Sequence, residues 1–104
     1  AKINSARLAE ANLCGADLRN ACLEAAVLER ATLTNATLVR ANLYMASCKE
    51  SDFGHADVTD ADLRCDLTEA KLVECVAQNV DLREAVLVGA DLTRASLRSA
   101  KLEG

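Results

Sequence analysis

The chain has 104 residues, a formal charge of −4 and an apolar half that includes one Phe, one Tyr and no Trp. That is the size of one small domain with a core limited to Leu, Ala, Val and Cys, and the mild acidity argues against a basic groove for direct nucleic-acid binding. No apolar run approaches the roughly 18 residues a membrane helix needs, and the start lacks the basic-then-apolar layout of a signal peptide.

With no Pro and much Ala, Leu, Glu and Arg, residue propensity alone favours helix. Periodicity overrules it. Counted from Ala1, the chain falls into twelve five-residue units to Asp60, a four-residue unit from Ala61 to Arg64, and eight five-residue units from Cys65 to Gly104. Of these 21 units, 17 begin with Ala, the exceptions being Ser51, Cys65, Cys75 and Val80. The third residue is Leu in 16, the others being Ile3, Cys48, Phe53, Val58 and Ala77.

On a helix a five-residue step advances the leucines by about 140°, so they would circle the cylinder instead of lining one side. In extended chain the first and third residues of a unit point one way and the second and fourth the other. The fifth residue resets the parity. Ala and Leu can therefore stay inside only if the chain turns a corner in every unit, which makes a coil, and stacked coils make a solenoid.

The motifs A-N-L-C-G at Ala11, A-D-L-R-N at Ala16 and A-D-L-T-R at Ala90 resemble the pentapeptide-repeat family, whose unit is A-(D/N)-L-x-x, and the resemblance covers the whole chain. Asp or Asn holds the second position at Asn12, Asp17, Asn42, Asp52, Asp57, Asp62, Asp66, Asp81 and Asp91. The resemblance implies an all-β fold: a right-handed quadrilateral β-helix with four units per coil and about five coils, in a single domain over residues 1–104. At about 4.8 Å per coil the solenoid would be roughly 25 Å long. The missing residue at Arg64 and Cys65 requires a tightened corner or a different turn type there.

Around this break the composition changes. Between Lys49 and Glu69 the acids Glu50, Asp52, Asp57, Asp60, Asp62, Asp66 and Glu69 face only Lys49 and Arg64, a local balance of −5, while the flanking stretches are nearly neutral. This band is a candidate interaction surface. Tyr44 with Met45, and Val86 with Val88, are the outward apolar pairs and candidate partner contacts, although no face shows a long apolar stripe.

Catalytic chemistry is poorly supplied. His55 is the sole histidine and falls at a corner, near Asp52 and Asp57 in sequence; it has no second histidine for a metal set and no companions for a hydrolytic triad. No cofactor or metal site is expected. Cys48, Cys65 and Cys75 read as inward apolar fillers, Cys14 and Cys22 as outward thiols. An odd cysteine count without C-x-x-C spacing points to a reducing, cytoplasmic setting. Ala1 opens a unit and Gly104 closes one, with no cap over either in the sequence, which is expected either of a piece of a longer protein or of end-to-end self-association.

The expected function is a non-catalytic structural or protein-interaction module, presenting side chains to a protein partner on a rigid β-helical scaffold. The alternative rests on the family: some relatives, the quinolone-resistance proteins, resemble B-form DNA and bind a type II topoisomerase (gyrase), and the acidic band fits that role.

Overall fold

The computed structural model describes residues 7–102, in which each unit forms one short extended segment and one corner. The absent caps expected at Ala1 and Gly104 lie outside the described residues. The second residue of each unit makes a parallel bridge to the second residue of the unit one coil further on, which gives four ladders. The first face carries Arg7, Val27, Ser47, Asp66 and Val86; the second Asn12, Thr32, Asp52, Lys71 and Asp91; the third Asp17, Thr37, Asp57, Val76 and Ser96; the fourth Cys22, Asn42, Asp62, Asp81 and Lys101. Each coil is therefore four-sided, one unit to a side.

The backbone amides can be followed one by one. The third residue donates to the carbonyl of the second residue one coil on, as Leu33 does to Asp52 at 2.7 Å, and the second residue donates to the first residue of the preceding coil, as Thr32 does to Ala11 at 2.9 Å. The fifth residue donates to the fourth of the next coil (Asn35 to Gly54, 2.9 Å), and the first residue closes the corner on the third residue of the unit before it (Ala36 to Leu33, 3.1 Å). Only the amide at the fourth position finds no backbone carbonyl in this scheme.

Each regular corner is a four-residue turn whose third member alone has positive φ, the signature of a type II turn. Among the described residues, sixteen non-glycine residues occupy this fifth position at φ between 56° and 63°, and Gly15 and Gly89 occupy it at 70° and 71°. The left-handed conformation of a non-glycine residue costs about 1–2 kcal/mol, so the corners are held by the hydrogen bonds and core on either side of them.

Ala and Leu at the first and third positions point inward. From Ala21 to Leu82 they are buried, with Phe53, Val58, Cys48, Cys65 and Cys75 continuing the same stack. A buried Leu contributes roughly 1.5–3 kcal/mol before conformational entropy is counted. Phe53 is accommodated next to smaller residues: Ser51 is buried, and its hydroxyl donates to the Cys48 carbonyl at 2.6 Å.

The four-residue unit breaks the spacing. Bridged residues are 20 apart up to Asn42 and Asp62, then 19 apart from Ser47 and Asp66 through Asp62 and Asp81, and 20 apart again from Asp66 and Val86. The corner at this unit is closed by the Cys65 amide donating to the Leu63 carbonyl at 2.8 Å. That is a γ-turn centred on Arg64, and since Arg64 is not among the residues of positive φ it is the inverse form. The inward alternation of Leu63, Cys65 and Leu67 survives, all three being buried. The principal extents of 28 × 24 × 21 Å describe a block nearly as wide as it is long.

Candidate interaction surface

The interior has no room for a substrate. No cavity opens among the described residues, and no group of three or more His, Cys, Asp or Glu side chains converges there. No described helix is long and apolar enough to cross a membrane. Burial pushes the Cys75 thiol up to about 11, and the neighbouring Cys48 thiol, with burial, pushes Cys65 well up; these are protonated, packed thiols. Cys14 is exposed, its Sγ 3.0 Å from the Thr34 hydroxyl, and Cys22 is half-buried.

The acidic band runs around all four faces, and much of it is used by the chain itself. The fourth-position amide left over by the ladders is taken by the second-position side chain: Asp52 accepts from Gly54 at 2.9 Å, Asp57 from Thr59 at 3.1 Å, Asp62 from Arg64 at 3.1 Å and Asp66 from Thr68 at 3.0 Å. Asn12, Asp17, Asn42, Asp81 and Asp91 accept in the same way. The Thr68 hydroxyl also donates to Asp66 and holds its pKa below the ordinary value. Of the remaining acids, Glu50 pairs with Arg30 at 3.5 Å, while Asp60 and Glu69 are exposed corner residues.

His55 sits at a left-handed corner and does not use Asp52 or Asp57. Its Nε2 lies 3.1 Å from Glu74, which Arg94 meets from the other side at 2.8 Å, so one corner column links three coils. A similar column joins Arg30 to Glu10 at 3.1 Å and to Glu50. Register counting could have found both, because their members are 19 or 20 residues apart.

The most built part of the surface is the fourth face and its edge with the first. The Arg64 guanidinium lies 4.5 Å from the centroid of the Tyr44 ring and donates to Asp62 at 2.7 and 2.9 Å, with Asp81 3.6 Å away. Arg83 in turn holds Asp81, drawing its pKa down to about 2. Met45, beside Tyr44, occupies the corner column of this edge. The shortened corner at Arg64 and Cys65 lies one coil beyond it, and Glu84 occupies the column one coil further. Val86 and Val88 follow Glu84 directly on the first face. Val88, next to the corner residue Gly89, stands at the opposite edge of the first face, where it meets the second, so the two apolar pairs do not share one edge.

The chain matches the family description "Pentapeptide repeats" in 8 copies, over residues 1–30, 15–47, 26–64 and 65–104. Among solved structures it is similar to the pentapeptide-repeat protein Rfr23 of the cyanobacterium Cyanothece 51142, with 22% identity over 98% of this chain and 84% of that one and a TM-score of 0.64. It is also similar to HetL, a pentapeptide-repeat protein involved in heterocyst differentiation regulation in Nostoc sp. strain PCC 7120, at 28% identity and a TM-score of 0.49. That match takes in 96% of this chain and 63% of HetL. No curated protein matches the chain. The eight repeat matches over the whole sequence and the four-ladder coil carry one conclusion: the chain belongs to the pentapeptide-repeat family and folds as its right-handed quadrilateral β-helix.

Proposed function

We propose that the chain is a non-catalytic interaction module whose product is its surface, and that it works in a reducing, cytoplasmic setting, as its five cysteines, none of them in a disulfide, suggest. The observation that supports this is the closed interior: the inward residues fill the coil completely, while the second, fourth and fifth positions carry side chains of every class on a fixed lattice. Chemistry needs a concave site that brings a base, a nucleophile or a metal together, and the lattice offers columns instead. The gyrase-binding alternative draws on the acidic band. Four of its seven carboxylates accept the chain's own amides, which favours the interaction module over a mimic of DNA phosphates.

The test is position-resolved photo-crosslinking in extracts of the source cells, with a benzophenone side chain placed in turn at exposed positions on each face. A module gives a discrete adduct from one or two neighbouring columns. Uniform smears from all four faces, or no adduct from any, would remove the reading.

A further inference from the structure

The corner column between the fourth and first faces differs from the other three. Each of those ties long side chains along its column: Arg30 to Glu10 and Glu50, Arg40 to Asn20, and Arg94 to Glu74. Among the sixteen non-glycine corner residues described, only Ala25 and Met45 are apolar, and they stand one coil apart in the same column. The Ala25 amide donates to the Tyr44 carbonyl at 2.9 Å, and the Met45 amide to that of Arg64 at 3.0 Å. Met45 is 66% exposed on a left-handed backbone, so it adds nothing to the core and holds a conformation that Gly or Asn would adopt at lower cost.

This knob has an apolar base and an uneven charged border. Tyr44 and Val27, both half-buried, flank the column on the fourth and first faces. The Arg64 guanidinium, 4.5 Å from the centroid of the Tyr44 ring, is already met by Asp62 and Asp81. Glu24, one coil before Tyr44, and Glu29, which accepts from the Ser47 hydroxyl at 2.9 Å, have no ion-pair partner among the described residues. They border Met45 on its two sides, Glu24 on the fourth face and Glu29 over Ser47 on the first. Of the cations of the first face, Lys49 is held by Asp66 at 3.8 Å and Arg7 stands two coils before Ser47. The charge left for a partner beside Met45 is therefore negative.

We propose that Met45 is the centre of a convex docking corner that seats in an apolar socket of a partner protein, with Lys or Arg on the socket's rim. The shape carries the choice of a socket. A corner side chain projects beyond both of the faces that meet there, so a partner that covers it must be concave at that point. An unbranched, polarizable thioether adapts to such a pocket, and Met, Tyr and Arg are the residues enriched at interface cores. Glu24 and Glu29 set the complementary charge on either side. This inference rests on the interaction-module reading and narrows it to one corner and one kind of partner.

The experiment is a ¹⁵N-¹H NMR titration of the whole chain with an amine-rimmed β-cyclodextrin, which is an apolar socket bordered by cations, and with a carboxylate-rimmed β-cyclodextrin as control. The expected shifts cluster at residues 24–29 and 44–47, for the amine host only. Met45→Asn should weaken binding at least fivefold while the melting temperature holds or rises, which separates recognition from a role in the fold. Glu24→Gln with Glu29→Gln should weaken it several-fold with a flatter salt dependence, and Val76→Ala, on the third face, should leave it unchanged. In extracts of the source cells, photo-methionine at position 45, the chain's one Met, should give an adduct whose yield falls with the glutamine pair. Shifts centred on another face, equal binding of the carboxylate host, no shift at millimolar host, or an adduct indifferent to the glutamine pair would each overturn the corner assignment. None of these removes the module reading, which falls only with the crosslinking scan of all four faces.

Discussion

Asp and Asn recur at the second position because the coil leaves one amide per unit without a backbone partner, and a short carboxylate or carboxamide two residues earlier reaches it. The preference is plain in the sequence; its cause is not, since the unmet donor exists only once the ladders are assigned. The same holds for the fifth position, where Glu, Arg, Met and His give little hint of a left-handed backbone and only Gly15, Gly89 and the asparagines do. Asp52→Ala leaves the buried Gly54 amide unmet and should cost about 1–2 kcal/mol in urea denaturation, while Asp52→Asn keeps the acceptor and should cost well under half of that. Asp81 gives a pH test. Its folded pKa of about 2, lowered by Arg83, lies below the usual unfolded value of about 3.9. Its contribution is therefore complete above the unfolded value and is lost as pH falls through the folded one. Thermal melts of Asp81→Asn should show a smaller loss of stability between about pH 4 and pH 2 than the parent.

At the scale of the unit, the inward alternation was legible to the residue, and so was the place of the deletion. The turn that absorbs it was not, because a shortened corner can close as a γ-turn or as another tight turn, and only the Cys65 to Leu63 hydrogen bond decides. The columns that join His55 to Glu74 and Tyr44 to Arg64 follow from the same register once it is counted across the break. Inserting one glycine between Arg64 and Cys65 should restore a five-residue unit with a type II corner and keep stability within about 1 kcal/mol of the parent. One glycine inserted between Leu33 and Thr34 should instead displace an inward series and lower the melting temperature sharply. Circular dichroism melts of the two insertions separate these outcomes.

For the whole molecule, interior and surface obey different rules. Leu43 is fully buried in a stack of Leu and Ala, so Leu43→Asp places an unpaired carboxylate in a dry core and should unfold the chain or cost more than about 4 kcal/mol. Thr34→Lys, outward on the second face, should stay within about 0.5 kcal/mol. Urea melts of the pair check the assignment, and equal losses would refute it. That Val86 falls on the first face, two coils beyond Ser47, could not be read without a decision on how the short unit turns.

The coil length also governs how the chain finds this structure. Among the described residues every hydrogen bond between coils joins residues 18 to 21 apart, so no ladder contact there is local and none spans the chain. The first coil to close must confine a loop of about 20 residues before its core is rewarded, and each later coil meets nearly the same entropic toll on a template already in place. A contact separation near one fifth of the chain length belongs with β-proteins that fold in milliseconds to seconds. Stopped-flow refolding should accordingly be limited by the closing of a single early coil, with the rest zippering outward from it.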